Sequence, residues 1–165
     1  MPTSYRMLVL LLLAASGCAG WERVVNYEQV KRQRAARSYR QQYAAACAQT
    51  SARSSAGRIR RLGDGTHDGL ADAELRELIS SHLADVSTCY DRALDIWPQL
   101  YGRVVVRAGI APAGYVQSSA LVSTDTGVKE LGCCVAAAML GWETRPMDVL
   151  EPVIFEYSYR FVPQG

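Results

Sequence analysis

The chain has 165 residues, 49% hydrophobic and 21% charged, with a formal net charge of +2. These values exclude a chain disordered throughout, and 6 prolines and 13 glycines exclude a collagen or a proline-rich stalk. The small net charge hides an asymmetry. Residues 19–63 carry ten Lys/Arg against two Asp/Glu, while residues 64–165 carry seven against fourteen, so the two halves are expected to meet different partners.

Met1–Arg6 is short and polar with one positive charge, and Met7–Ala15 is an unbroken apolar run. That run is shorter than the roughly 20 residues a membrane span needs. Small residues and a cysteine follow in Ser16-Gly17-Cys18-Ala19, which completes the pattern of a secretory signal over residues 1–17. Ala15-Ser16-Gly17-Cys18 resembles the bacterial lipobox. The resemblance implies that Cys18 is diacylated and becomes the mature N-terminus, and two acyl chains anchor stably where one does not. Ala19 after the cysteine implies sorting to the outer membrane, so the expected location is the periplasm. The alternative is an ordinary secretory signal with an incidental Cys18.

Trp21–Thr50 contains no Gly or Pro and is rich in Ala, Arg, Gln and Tyr, which predicts a helix. Val25, Tyr39, Tyr43 and Cys47 suggest one face, with arginines over the rest. Ser51–Gly69 breaks the pattern with Ser, Gly and Asp and reads as a linker. The expected organisation is a signal at 1–17, a lipid-anchored basic helical spacer at 18–63, a linker at 64–73 and a domain at 74–163. The basic helix reads first as a solvated arm. Anionic headgroups, peptidoglycan or an acidic protein are the alternative contacts. Nucleic acid is not an expected partner for an exported chain.

Glu74–Trp97 has helical period: Leu75, Leu78, Ile79, His82, Leu83, Val86, Cys89, Tyr90, Ala93 and Trp97 recur at threes and fours. Asp72 is the expected N-cap and Pro98 the stop. Val104, Val106, Ala108 and Ile110 alternate with their neighbours from Gly102 onward, which predicts a strand. Ala111-Pro112-Ala113-Gly114 is turn chemistry, and Tyr115–Ser123 is the second strand of a hairpin. Ser123-Thr124-Asp125-Thr126 offers N-caps for a second helix with a face of Val128, Leu131, Cys134 or Val135, Ala138 and Trp142, ending at Arg145-Pro146. Val153–Val162 alternates again, with Val153, Phe155, Tyr157, Tyr159 and Phe161 on one face and Ile154, Glu156, Ser158 and Arg160 on the other. The expected fold class is α+β: helix–strand–strand–helix–strand, a three-stranded antiparallel sheet with two helices on one face. After Cys18, four cysteines remain (Cys47, Cys89, Cys133 and Cys134) and allow three pairings, of which the strained Cys133–Cys134 ring is the least favoured.

The order and its motifs resemble the TonB C-terminal domain superfamily, nearest the AgmX/PglI C-terminal type. The residues that carry the resemblance are Cys89-Tyr90, Pro98, Gly102-Arg103-Val104-Val105-Val106, Ile110, Gly114, Val116, Leu131, Cys134-Val135, Trp142 and the closing strand Phe155–Phe161. The resemblance covers roughly residues 74–163. It implies this fold and a mode of binding, not coupling to the proton-motive force. It also implies a Cys89–Cys134 bridge between the two helices. Cys47 and Cys133 then remain, and their pairing, open on parity alone, would dock the basic helix onto the domain.

Chemistry is sparse. His67 and His82 do not share a zinc-ligand spacing. Asp64, His67, Asp68 and Asp72 do not match an EF-hand loop. No nucleophile motif, phosphate loop or Cys-x-x-Cys occurs, so no enzyme, cofactor or metal is expected. The expected function is a lipid-anchored periplasmic interaction module. It binds an envelope protein or extended peptide by strand addition, with Ile154, Glu156, Ser158 and Arg160 on the partner side. A homodimer stays open as an alternative. So does a structural spacer of an envelope or motility assembly that acts through its basic helix.

Overall fold

A computed structural model describes residues 27–48, 59–61 and 72–163. The expectations for the signal, for Cys18 and for Asp64, His67 and Asp68 lie outside the described residues. Residues 27–48 form helix α1. There follow β1 (Ile59–Arg61), α2 (Asp72–Ser81), α3 (Leu83–Leu94), β2 (Gly102–Ile110), β3 (Val116–Thr124), α4 (Lys129–Met139) and β4 (Val153–Phe161).

The class is α+β. Three antiparallel strands stand in the order β4-β2-β3, and β1 lies outside β4 in parallel. Alternation explains the strands. Val104, Val106, Ala108 and Ile110 are buried in β2, and Tyr159, Tyr157, Phe155 and Val153 are their register partners in β4. These residues and the apolar sides of the helices make one core, with Phe155, Trp142, Leu131 and Met139 among its most enclosed side chains. The opposite face of the sheet carries Arg103, Val105 and Arg107 against Arg160, Ser158 and Glu156.

The helix predicted over Glu74–Trp97 is interrupted at His82. Ser80 and Ser81 donate their hydroxyls back to Glu77 O and Leu78 O, at 3.0 and 2.9 Å. Such back-bonding bends helices. His82 sits at φ −110° and ψ 14°, outside helical geometry, with no side-chain cap for α3. α4 starts later and stops earlier than its sequence suggests. Val128 holds the N-cap position, and the expected cap hydroxyls serve the preceding turn, where Thr126 Oγ1 accepts from Val128 N at 3.3 Å. The helix ends at Met139, so Trp142 lies beyond it. Trp142 is held there by donating Nε1–H to Asp85 Oδ2 at 3.1 Å while its ring stacks on His82.

Gly114 closes the β2–β3 turn at φ +91°, a conformation that favours glycine. The segment after α4 crosses that turn: Thr144 N donates to Gly114 O at 2.6 Å and Met147 N to Pro112 O at 2.8 Å. A β-carbon on Gly114 would meet Thr144 O.

Contacts divide the chain into Met1–Ser38 and Tyr39–Gly165. The described part of the first unit is residues 27–38 of α1, almost all exposed. In the second unit, the rest of α1 packs with the α+β elements. Tyr39 and Tyr43 are buried, Tyr39 meets the Trp97 ring edge-on, and Cys47 is bonded to Cys133. The division therefore falls inside α1 rather than at residue 74, because a disulfide and two aromatic rings join its last turns to the domain. The expected helical spacer at 18–63 also contains a strand, β1, which its arginine-rich sequence does not announce.

Candidate interaction site

β4 is the outer strand of the antiparallel sheet, so one of its edges has no antiparallel neighbour. An unpaired edge offers backbone N–H and C=O groups to any extended segment. Here the chain supplies one itself. Ile59, Arg60 and Arg61 pair in parallel with Ile154, Phe155 and Glu156. From Tyr157 to Phe161 that edge has no partner strand among the described residues.

The four residues expected to face a partner divide into two pairs. Ile154 is buried at 4% exposure, on the opposite side of β4 from Phe155. Glu156 accepts from Arg107 across the β2–β4 pair, Nη2 to Oε1 at 2.6 Å and Nε to Oε1 at 3.0 Å, and both side chains are largely enclosed. Ser158 and Arg160 are exposed. Only this second pair is free to meet a partner side chain.

Arg160 has a companion that the sequence reading left unassigned. Arg103 is its direct register partner on β2, so both side chains leave the same face of the sheet, opposite Val104 and Tyr159, at one rung. Both are exposed, and neither guanidinium has an ion-pair partner among the described residues. Tyr101, Gly102, Arg103, Asp125, Arg160, Phe161 and Val162 line a cleft of 430 Å³ there. Tyr101 and Val162 expose most of their apolar surface. The Asp125 carboxylate is turned to the main chain and accepts from Arg103 N. Thr124 Oγ1 donates to Arg103 O at 3.1 Å. The rung is thus fixed by its backbone while its guanidinium groups stay open. Alternation places Arg103 on the polar side of its strand, but its opposition to Arg160 depends on strand register, which no local pattern reveals.

The cysteines lie apart from this edge. Cys89 is bonded to Cys134, tying α3 to α4, and Cys47 to Cys133, tying α1 to α4. Cα separations of 5.8 and 5.1 Å are ordinary for disulfides. A groove of 350 Å³ opens between these helices, with Tyr43, Asp85, Arg92 and Trp142 among its walls.

Burial raises the hydroxyl pKa of Tyr39, Tyr90 and Tyr159 above the ordinary tyrosine value, and neighbouring ionisable groups (Tyr43 and Glu130 beside Tyr39, Asp91 beside Tyr90, Tyr157 beside Tyr159) add to the rise. Tyr39 donates to Cys89 O at 3.3 Å and Tyr90 to Leu100 O at 2.7 Å. These hydroxyls stay neutral and serve packing. Among the described residues no group of three or more His, Cys, Asp or Glu is placed to hold a metal ion, and no helix is long and apolar enough to cross a membrane.

No protein-family model, curated protein or solved structure matches the chain.

Proposed function

We propose that the chain is a non-enzymatic interaction module of the bacterial envelope, lipid-anchored through Cys18. In this reading it takes up an extended partner segment by strand addition along β4. One observation carries it: β4 already accepts an extended segment, the chain's own β1, at the edge a partner would use. Backbone hydrogen bonds supply affinity in such pairing, and alternate side chains supply selectivity. Ser158 and Arg160 are the β4 side chains free to select. The resemblance to TonB C-terminal domains agrees with this mode of binding and with a periplasmic location.

In-cell cross-linking from a photoreactive group at Ser158, followed by mass spectrometry, tests the reading. A discrete partner peptide, together with new hydrogen-exchange protection over Tyr157–Phe161, is the expected result. Cross-links only to a second copy, or to nothing, reject it.

A second reading, a structural spacer acting through α1, rests on a different observation. Lys31, Arg32, Arg34 and Arg37 are exposed. Charge reversal at Arg32, Arg34 and Arg37 separates the two: loss of partner capture with an intact β4 favours the spacer.

A further inference from the structure

We propose that the segment β4 receives is acidic, with a glutamate or aspartate side chain clasped between Arg103 and Arg160 at the end of the sheet. This rests on the strand-addition reading and adds the chemistry of the partner.

The argument starts from a local conflict. Like charges directly opposite across an antiparallel pair destabilise the sheet. Arg103 and Arg160 are such a pair. The same face shows how the conflict is avoided elsewhere: Arg107 stands opposite Glu156 and is ion-paired to it. At the Arg103–Arg160 rung no carboxylate of the described residues serves the guanidinium groups. Asp125, the acidic wall of the cleft, is already engaged by the Arg103 amide.

The edge of β4 away from β2 is the one that takes an extended chain. A strand laid along Tyr157–Phe161 sends every second side chain over the sheet face that carries Arg103 and Arg160, past Ser158 and then Arg160. A carboxylate at the second of these positions lies one strand spacing from Arg160 and two from Arg103, a distance that the long arginine side chain spans by leaning over β4, and charge-assisted bonds of this kind are among the stronger contacts a surface can make. Tyr101 and Val162 offer apolar area to the residue beside it. Gly102 lets the Asp125 turn close on the Arg103 amide: at φ +133°, a β-carbon would run into Asp125 Oδ1 and lie 3.1 Å from the Thr126 backbone.

The test uses the full-length protein and two short peptides with blocked ends, one alternating valine with glutamate and the other valine with glutamine. Fluorescence anisotropy measures affinity, and hydrogen exchange follows the β4 amides. The glutamate peptide is expected to bind about tenfold more tightly, in a salt-sensitive manner. The double variant Arg103→Gln, Arg160→Gln is expected to erase the difference. Both positions are exposed, and unchanged near-ultraviolet circular dichroism confirms the fold of the variant. Equal affinities with β4 protection overturn the acidic preference and leave strand addition standing. A glutamate preference without β4 protection overturns strand addition and leaves the arginine cleft as a carboxylate site. Failure of both peptides to bind overturns both.

Discussion

Arg107 and Glu156 face each other across β2 and β4, with Nη2 2.6 Å from Oε1 and side-chain exposures of 28% and 17%. An enclosed pair of this kind leaves an uncompensated group when one partner is removed. Glu156→Gln is expected to cost about 1–2 kcal/mol in urea denaturation, with a coupling of about 1 kcal/mol in a double-mutant cycle with Arg107→Gln. The contrast lies four residues away on the same β2 face. Arg103→Gln is expected to leave stability unchanged or raise it slightly, since it relieves a like-charge pair.

The two disulfides separate by what they hold. Cys47–Cys133 spans 86 residues and secures the end of α1, whereas Cys89–Cys134 spans 45 and secures α3 against α4. Replacing Cys47 and Cys133 by serine is expected to cost about 2–4 kcal/mol while the sheet still forms. Denaturant melts with circular dichroism check the cost. Alkylation of the unreduced protein is expected to leave all four of these cysteines unmodified.

Gly114 and Gly127 both have positive φ, at +91° and +73°. Their surroundings differ. A β-carbon at Gly114 meets Thr144 O and, at 2.8 Å, the Arg145 carbonyl, whereas at Gly127 nothing lies within 4 Å. Gly127→Ala therefore bears only the backbone penalty, about 1 kcal/mol. Gly114→Ala is expected to cost at least about twice that, because it also pushes the crossing segment off the turn. Thermal melts of the two variants give the ranking.

Tyr39, Tyr90 and Tyr159 have hydroxyl pKa values raised in the folded state, chiefly by burial. The folded protein therefore holds these protons more tightly than the unfolded chain. Their contribution to stability is complete below the unfolded tyrosine pKa of about 10 and falls as pH rises beyond it. Ultraviolet titration is expected to show the buried three resisting ionisation above pH 10 and ionising together with unfolding.

Much of the α+β architecture is legible in the sequence because its strands alternate cleanly. Phe155, Tyr157, Tyr159 and Phe161 mark β4, and Val104, Val106, Ala108 and Ile110 mark β2. α4 is less legible. Leu131 to Ala136 are all buried, so no polar face marks its rotation or its ends. Sheet, α3 and the Cys47 bridge enclose it from several sides. The break at His82 comes from two serines and a ring stacked on Trp142, a residue from the far end of the domain. β1 is illegible for another reason. Three residues of an arginine-rich stretch carry no period, and their pairing depends on an edge that exists only once β2 and β4 have met. The same dependence hides Arg103 behind Arg160. Register is a property of the assembled sheet.

Cys133 and Cys134 are neighbours on one turn of α4, yet they hold different helices. Successive residues in a helix point about 100° apart, so the rotation of α4 decides which cysteine faces α1 and which faces α3. An isomer with the two bonds exchanged would twist α4 about its axis and turn Leu131 and Val135 out of their sites against the sheet. Oxidation thus records whether α4 docked in its proper orientation, and the bond pattern of the oxidised protein is an imprint of that event.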